Sequence, residues 1–460
     1  MELMGFFESV NEVLWGPVML IMLLGTGALF TYKLRFIQFR RFKDSIRHTF
    51  SGMLDKSVVA DESGISSFQA LSTAIAAQVG TGNLVGVATA IGAGGPGAVF
   101  WMWISGIFGM GTIFAESVLG QEYRRKVGGE MTGGPAYYIK NGLGSKALAA
   151  LFAVAIVLAL GLVGNMVQSN SIADAVNEAF HIPPLYVGLA LALLAGLVII
   201  GGITRIASVT ERLVPIMALF YMIAAIAVII INIDQLIPSL RLIVHSAFNP
   251  RAATGGVIGV TLRQTFRYGL ARGLFSNEAG MGSTPQAHAV AKVSHPAQQG
   301  LVGIFGVIFD TFIVCTLTAL VIITTGAWEL AGSLEGVALT QQGFVESFGN
   351  LGENFIAVAL FFFAFTTIIS WYYFGESNIK YLFGTRALGI YKLLVVICVV
   401  IGSTLEVPVI WEMADAFNAI MVLPNLIALV GLASLVVKIY DDYEDNFLEG
   451  EKSQYENTDI

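Results

Sequence analysis

Charge is what this sequence has least of. Of its 460 residues, 12% are Asp, Glu, Lys or Arg, against about 25% in soluble domains. So sparse a supply cannot coat a water-soluble globule of this length, which sets aside a soluble enzyme, a nucleic-acid binder and a disordered chain. Cysteine is nearly absent: Cys315 and Cys398 both lie in apolar runs, so no disulfide framework is implied. The five histidines, His48, His181, His245, His288 and His295, fall in or near loops. No H-E-x-x-H or G-x-S-x-G pattern accompanies them, so hydrolytic machinery is missing. A T-V-G-Y-G-like filter is missing too, which argues against a selective pore.

What is abundant is apolar. Hydrophobic residues make up 55% of the chain and 51 positions are Gly, with a mean hydropathy of +0.74. Glycine is more frequent in membrane helices than in soluble ones, and the chain reads as an all-α polytopic membrane protein. Crossing the hydrocarbon core takes roughly 20 apolar residues as a helix. Such runs lie near 14–34, 67–92, 97–119, 147–172, 184–202, 210–231, 254–285, 300–326, 354–374, 389–405 and 411–438. That predicts eleven transmembrane helices. The first has no basic region ahead of it and no A-x-A-like cleavage site, so it reads as a retained helix and not a signal peptide.

Lys and Arg sort by side, as cytoplasmic loops require. Twenty of the 25 fall in loops of one side, beginning with Lys33, Arg35, Arg40, Arg41, Lys43, Arg47 and Lys56. Loops of the other side hold Arg241 and Arg251, and Arg263, Arg267 and Arg272 sit in the seventh run. This bias sets the N-terminus outside and the C-terminus in the cytoplasm. The net charge of −7 is local, because Asp441 to Ile460 carry eight acids against one base, Lys452. Such a composition predicts a solvated, disordered tail.

Two of the apolar runs are poor helices. The second contains Ala77-Gln78-Val79-Gly80-Thr81-Gly82-Asn83, and the seventh Phe275-Ser276-Asn277-Glu278-Ala279-Gly280-Met281-Gly282. Each Gly costs about 1 kcal/mol of helix propensity relative to Ala. Irregular backbone at bilayer depth survives only where protein or a wet cavity satisfies it. Gly-interrupted segments in matching positions of two halves point to a transporter's central site. Here they lie five segments apart. Five is odd, so the second unit enters from the opposite face: an inverted repeat of five plus five helices. The chain then divides into an extra N-terminal helix with a basic cytoplasmic linker (1–66), a first five-helix repeat (67–231), a second, inverted one (254–438) and an acidic cytoplasmic tail (439–460). Tight small-residue packing would explain the glycines, but not the neighbouring Gln78, Asn83 and Glu278.

Gly80-Thr81-Gly82-Asn83, then Gly94-Gly95-Pro96-Gly97-Ala98-Val99-Phe100 and Phe114-Ala115-Glu116-Ser117, resemble the alanine or glycine:cation symporter family of prokaryotic or archaeal type. So does Gly273-Leu274-Phe275-Ser276-Asn277-Glu278-Ala279-Gly280-Met281-Gly282-Ser283. The resemblance covers nearly the whole chain. It implies the leucine-transporter-like five-plus-five architecture with discontinuous helices, and sodium-coupled import of small neutral amino acids, alanine and glycine, across the cell membrane. A proton-coupled symporter of the same fold is the alternative.

A zwitterion needs donors for its carboxylate and acceptors for its ammonium, and a helix break exposes both. The amides near Gly80, Thr81, Gly82 and Asn83 are candidates for the carboxylate, with glycine permitting close approach. By the resemblance, carbonyls around Gln78 and from Phe275 to Ser276 face the ammonium. It also makes Phe275 an aromatic gate, puts Met281 beside Gly280 at the pocket wall, and makes Trp371 a second wall. Asn165 and Gln168 share a helix face and are further substrate candidates. For sodium, the resemblance implies carbonyls of Ala76, Val79 and Phe363 with the hydroxyls of Thr366 and Thr367; the alternative is that these threonines bond back to the carbonyl four residues earlier. Gln78 stands where a second sodium site would need a small residue. Glu116 is expected to be structural, paired with Arg124 or Arg125 or with a neighbouring helix. Glu278 and Asp310 read as gate partners of Arg263, Arg267 or Arg272, as scaffold or site residues, or as proton carriers.

Overall fold

The computed structural model describes residues 2–54, 64–249, 261–405 and 407–456. Helices α1 (Glu2–Leu14), α2 (Pro17–Lys33) and α3 (Phe42–Leu54) precede the first broken segment. That segment is α4 (Ser67–Gln78) and α5 (Gly82–Gly94), bent by 47° at the break. Next come α6 (Ala98–Glu122), a two-stranded antiparallel hairpin of β1 (Arg125–Val127) and β2 (Glu130–Thr132), and the short α7 (Pro135–Asn141). Then follow α8 (Lys146–Phe180), α9 (Pro184–Ile199), α10 (Gly202–Ile231) and α11 (Leu236–Phe248). The second broken segment is α12 (Leu262–Asn277) and the short α13 (Pro285–Ala289). The chain continues through α14 (Pro296–Thr324), α15 (Val337–Phe348), α16 (Asn350–Phe383), α17 (Leu388–Thr404), α18 (Val407–Gly431) and α19 (Ala433–Asp442).

Among the described residues, six helical stretches are long and apolar enough to cross a membrane, or eight when each of two bent pairs counts as one span. The expected runs differ from these for physical reasons. The run near 184–202 shortens to the 16 residues of α9, and that near 389–405, as α17, follows α16 within one long helical stretch, Asn350–Thr404. The run near 254–285 is split between α12 and α13, and its residues 254–260, like Lys56 and Arg251, lie outside the described residues.

One face of α10 shows why the surface is lipid-compatible. Ile216, Leu219, Phe220, Ile223, Ile226 and Ile230 recur at helical spacing and are exposed, whereas Val214, Ala218, Tyr221, Ala225 and Val228 point inward. In water such a stripe would be an aggregation surface. The core is built around α6, which packs against α2, α12 and α14, and α16, which packs against α4, α8 and α10.

The acidic tail departs from the expectation of a disordered end. It is helical through α19, and Glu444 sits 2.7 Å from Arg41 and 2.9 Å from Arg40. Arg35 pairs with Asp441 as well. Burial opposes charge on Glu444, yet hydrogen bonds from Arg41 and Tyr440 hold its carboxyl below the usual range. Asp442 is likewise partly buried, but donors from Ser453, Asn446, the Gln454 backbone and His295 hold it down to about 2. Arginines about 400 residues away neutralise this end, which composition alone could not reveal. Asp459 lies outside the described residues.

Candidate functional site

The first break is brief. Helix α4 ends at Gln78, Val79 leaves the helical region (φ −87°, ψ 84°), and a π-type stretch begins at Gly82. Amide side chains serve the freed backbone. Gly80 N–H donates to Asn83 Oδ1 at 3.0 Å and Thr81 N–H to Gln168 Oε1 at 3.3 Å, while Gln168 Nε2 returns a bond to Thr81 Oγ1 at 3.0 Å.

The second break is longer. Glu278 takes the left-handed conformation (φ 57°), as do Gly280 and Gly282, so the chain coils away before α13 can start. A buried carboxylate serves these amides: Gly280 N–H and Gly282 N–H donate to Glu116 at 3.1 and 2.9 Å. Asn425 Nδ2 donates to Glu116 at 2.6 Å and to Gly280 O at 2.9 Å. The partners of Glu116 are thus amides of neighbouring segments, the second of the two expected pairings, and not Arg124 or Arg125. Backbone donors freed by the left-handed turns outcompete a long side chain that would have to be desolvated.

The two breaks face each other. Gln78 Nε2 donates to Asn277 O at 2.7 Å. A β-carbon on Gly82 would lie 3.1 Å from Ser276 Cα, and one on Gly80 would lie 2.4 Å from Thr367 Oγ1. In this structure the space beside these glycines is filled by atoms of Ser276 and Thr367. Asp310, from a π-type stretch of α14, ties the halves together. It accepts from Asn83 Nδ2 at 2.6 Å, Ser276 Oγ at 2.9 Å and Thr311 Oγ1 at 2.8 Å. Composition offered Asp310 only as one of several buried acids. Its role as a hub emerges from three segments meeting.

Neither Glu278 nor Asp310 has its hydrogen bonds from the expected arginines. Glu278 accepts from Trp371 Nε1 at 2.7 Å and from Ser283 Oγ at 2.6 Å. Arg272 pairs with Asp415 at 3.1 Å and lies over Trp411, 5.5 Å from the ring centre. The π-type stretch of α8 ends at Gly164, which lets Trp371 pack on the backbone, since a β-carbon there would stand 2.7 Å from the indole. Phe275 meets Trp371 edge-on at 6.5 Å and Trp411 at 5.8 Å. Asn165 Nδ2 bonds Gly161 O at 3.0 Å, and its Oδ1 is buried with no partner, as is Gln78 Oε1. Met281 is buried. Gly280 lies apart from the first break, facing Leu23, Leu426 and Thr112, its amide engaged by Glu116.

Of the five expected sodium-ligating residues, Thr367 brings the carbonyls of Ala76 and Phe363 together, while Thr366 bonds back to Phe363 within its own helix. Thr367 Oγ1 lies 2.8 Å from Ala76 O and 3.1 Å from Phe363 O, and Thr366 Oγ1 donates to Phe363 O at 2.9 Å. Val79 stands just past the end of α4. Neutral hydroxyls and carbonyls suit a hard monovalent cation, because they supply oxygen without burying a second full charge.

Two cavities open above Phe275. One, of about 410 Å³, is lined by Asn170, Asp174, Glu335 and Trp411. The other, of about 260 Å³, is lined by Asn11, Trp15, Phe275 and Asp415. Tyr268, Arg272 and Glu412 border both.

Comparison with known proteins places this geometry in context. A family model described as the sodium:alanine symporter family matches residues 1–457. A sodium/alanine symporter, AgcS, of Methanococcus maripaludis is 42% identical over 445 residues, 95% of this chain and 96% of the relative. A Bacillus subtilis protein described as a putative sodium/proton-dependent alanine carrier, YrbD, is 42% identical over 462 residues, 97% of this chain and 93% of its own. Another from Bacillus subtilis, described as a probable sodium/glutamine symporter, GlnT, is 42% identical over 434 residues, 94% and 89% of the two chains.

Proposed function

The chain belongs to the sodium:alanine symporter family, a family of transporters and not enzymes, and from that premise we propose that it is a sodium-coupled importer of alanine and glycine working by alternating access. The observation that carries this reading is the meeting of the two breaks beside the oxygen cluster of Ala76, Phe363, Thr366 and Thr367. Sodium binding there would draw α4 against α16, and α4 ends at the break that is to receive the substrate. The amides of Gly80 to Asn83 and the side chain of Gln168 would take the amino-acid carboxylate. Carbonyls at Gln78, Phe275 and Ser276 would take the ammonium, under Phe275 and beside Trp371 and Met281. Size limits the substrate: one methylene in such a pocket is worth about 1–3 kcal/mol.

In this reading the fold is the leucine-transporter-like inverted repeat of 67–231 and 254–438, with eleven crossings once the broken and short helices are counted as spans. Residues 1–66 are the added helix and linker, and 439–460 the tail. The N-terminus is outside and the C-terminus cytoplasmic in a cell membrane. The excess of Lys and Arg on the hairpin and tail side supports that orientation. A proton-coupled reading is favoured by one observation, the buried Asp310 bridging both breaks.

The deciding experiment is uptake of labelled alanine, glycine and glutamine into liposomes under an inward sodium gradient or an inward proton gradient alone. Uptake of alanine and glycine with sodium alone is expected. Uptake driven by protons alone would move the coupling chemistry to Asp310 or Glu278. Preference for glutamine would overturn the small-pocket assignment.

A further inference from the structure

The face of the molecule opposite the two cavities is closed by a small, well-anchored assembly. Helix α6 runs from the cavity end to this face, its 25 residues rising about 37 Å. At its far end the β1–β2 hairpin and α7 fold back under the second break. Glu130 pairs with Lys380 at 2.6 Å, Thr132 Oγ1 lies 2.7 Å from Ser377 Oγ, and Ser377 donates to Gly133 O at 3.0 Å. Tyr138 donates to Asn425, the same residue that holds Glu116 and Gly280. The fit is close. A β-carbon on Gly133 would meet Ala289 at 2.5 Å, one on Gly134 would meet the Gln286 amide at 2.9 Å, and one on Gly282 would meet Pro135 at 2.8 Å.

Beneath this cover lies polar chemistry without protein partners. Gln286 is fully buried, and among the described residues neither its Oε1 nor its Nε2 has a hydrogen-bond partner. Thr284 Oγ1, Ser117 Oγ and Ser370 Oγ are buried and unpaired too. Ser370 and Tyr373 share a face of α16, and Tyr373 reaches Gln286 O. Ser117 and His288 both border Gly303. Orphaned side chains on and beside one five-residue helix are costly in a static scaffold, since buried polar groups are ordinarily paired. They make sense if the covered state is one of two.

We propose that α13, through Gln286 and Thr284, is a release-side station for the amino-acid zwitterion, and that the hairpin with α7 is the lid that closes it. An amide offers N–H donors to a carboxylate and a carbonyl to an ammonium, and a hydroxyl serves either. The inference rests on the transport reading above and adds to it a second polar stop and its cover.

The test locks the lid. Thr132→Cys with Ser377→Cys, in a Cys398→Ser background, puts two thiols where the hydroxyls now meet, close to the geometry a disulfide needs. Uptake and binding of labelled alanine are measured before oxidation, after it, and after reduction, with crosslinking followed by mass spectrometry. Oxidation is expected to abolish uptake at least twentyfold while sodium-dependent binding persists, and reduction to restore uptake. Undiminished uptake by crosslinked protein overturns the lid. A reduced protein that neither binds nor takes up alanine overturns the transport reading itself. The station is read separately in Gln286→Met, which removes the orphaned amide. Higher thermal stability with at least a fivefold lower maximal rate and an unchanged half-saturation for external alanine is expected. A parental maximal rate would overturn it.

Discussion

The two helix breaks solve one problem with different chemistry. At the first, three residues between α4 and α5 are served by neutral amides from Asn83 and Gln168. At the second, seven residues between α12 and α13 are served by the carboxylate of Glu116 and by Asn425. A full charge holds backbone N–H groups more strongly than an amide does, and Glu116 fills its acceptor sites with fixed protein donors. In the proposed reading the Gly280–Gly282 turn of the second break is thereby held as a scaffold, and the first break can exchange its partners for a ligand's. Contact between them runs through Gln78, Gly82 and Asp310, so any rearrangement of one is felt by the other.

The largest effect is expected from Glu116→Ala. Each buried donor left without an acceptor costs about 1–3 kcal/mol, and here two backbone amides and Asn425 lose theirs. Thermal unfolding in detergent should show a greater loss of stability than Asp310→Asn, Gly82→Ala or Glu444→Gln produces. If Glu116→Ala unfolds like the parent, the contrast between a charged and a neutral break fails.

Asp310→Asn comes next. Hydrogen bonds to a charged acceptor are worth about 1.5–3 kcal/mol, and both breaks draw on this one. A moderate fall in unfolding temperature is expected with alanine uptake still driven by sodium. Loss of all uptake with intact folding would instead assign the coupling to the carboxylate. Gly82→Ala sharpens the point where the breaks touch. Its β-carbon would press on the Ser276 backbone, an overpacking that costs about 1–3 kcal/mol. Alanine affinity should fall more than stability, whereas an unaltered affinity would show the contact to be incidental.

The smallest effect lies outside the breaks. Glu444→Gln removes the charge of a largely covered carboxylate whose partners Arg35 and Arg40 stand half-exposed at the surface, a change of about 1 kcal/mol or less, and its effect should shrink in high salt. Asp442 has its carboxyl depressed below the unfolded value, so its contribution is present above 3.8 and is lost as pH falls toward about 2. Tail protection from proteolysis, followed over that range, should decay accordingly, and protection independent of pH would contradict it.

Much of this is legible in the sequence. The G-x-G pairs beside Gln78, Asn83 and Glu278 mark both breaks, because glycine and amides at bilayer depth have few other uses. The hydroxyl of Thr367 meets Ala76 O across two helices, a contact between residues that the family resemblance singles out. What stays hidden are partnerships across long sequence separations. Glu116 has nearby arginines in sequence, yet it bonds amides 164 and 166 residues on, because left-handed turns that free backbone donors leave no pattern in composition. The order of the tail is hidden for the same reason, its arginines lying at the other end of the chain. The polar side chains of α13 give no signal at all, since an unpaired Gln286 reads like any glutamine.

On the proposed sodium-coupled reading, the neutral first break, through α4 and Thr367, holds the coupling ion, while the acid bridging the breaks is structural. The most direct test is the sodium half-saturation of alanine uptake in Thr367→Val and in Asp310→Asn. Valine keeps the shape of threonine and removes its oxygen. At least a tenfold rise in half-saturation is expected for Thr367→Val, and a parental value for Asp310→Asn. A parental value for Thr367→Val with a tenfold rise for Asp310→Asn would contradict it.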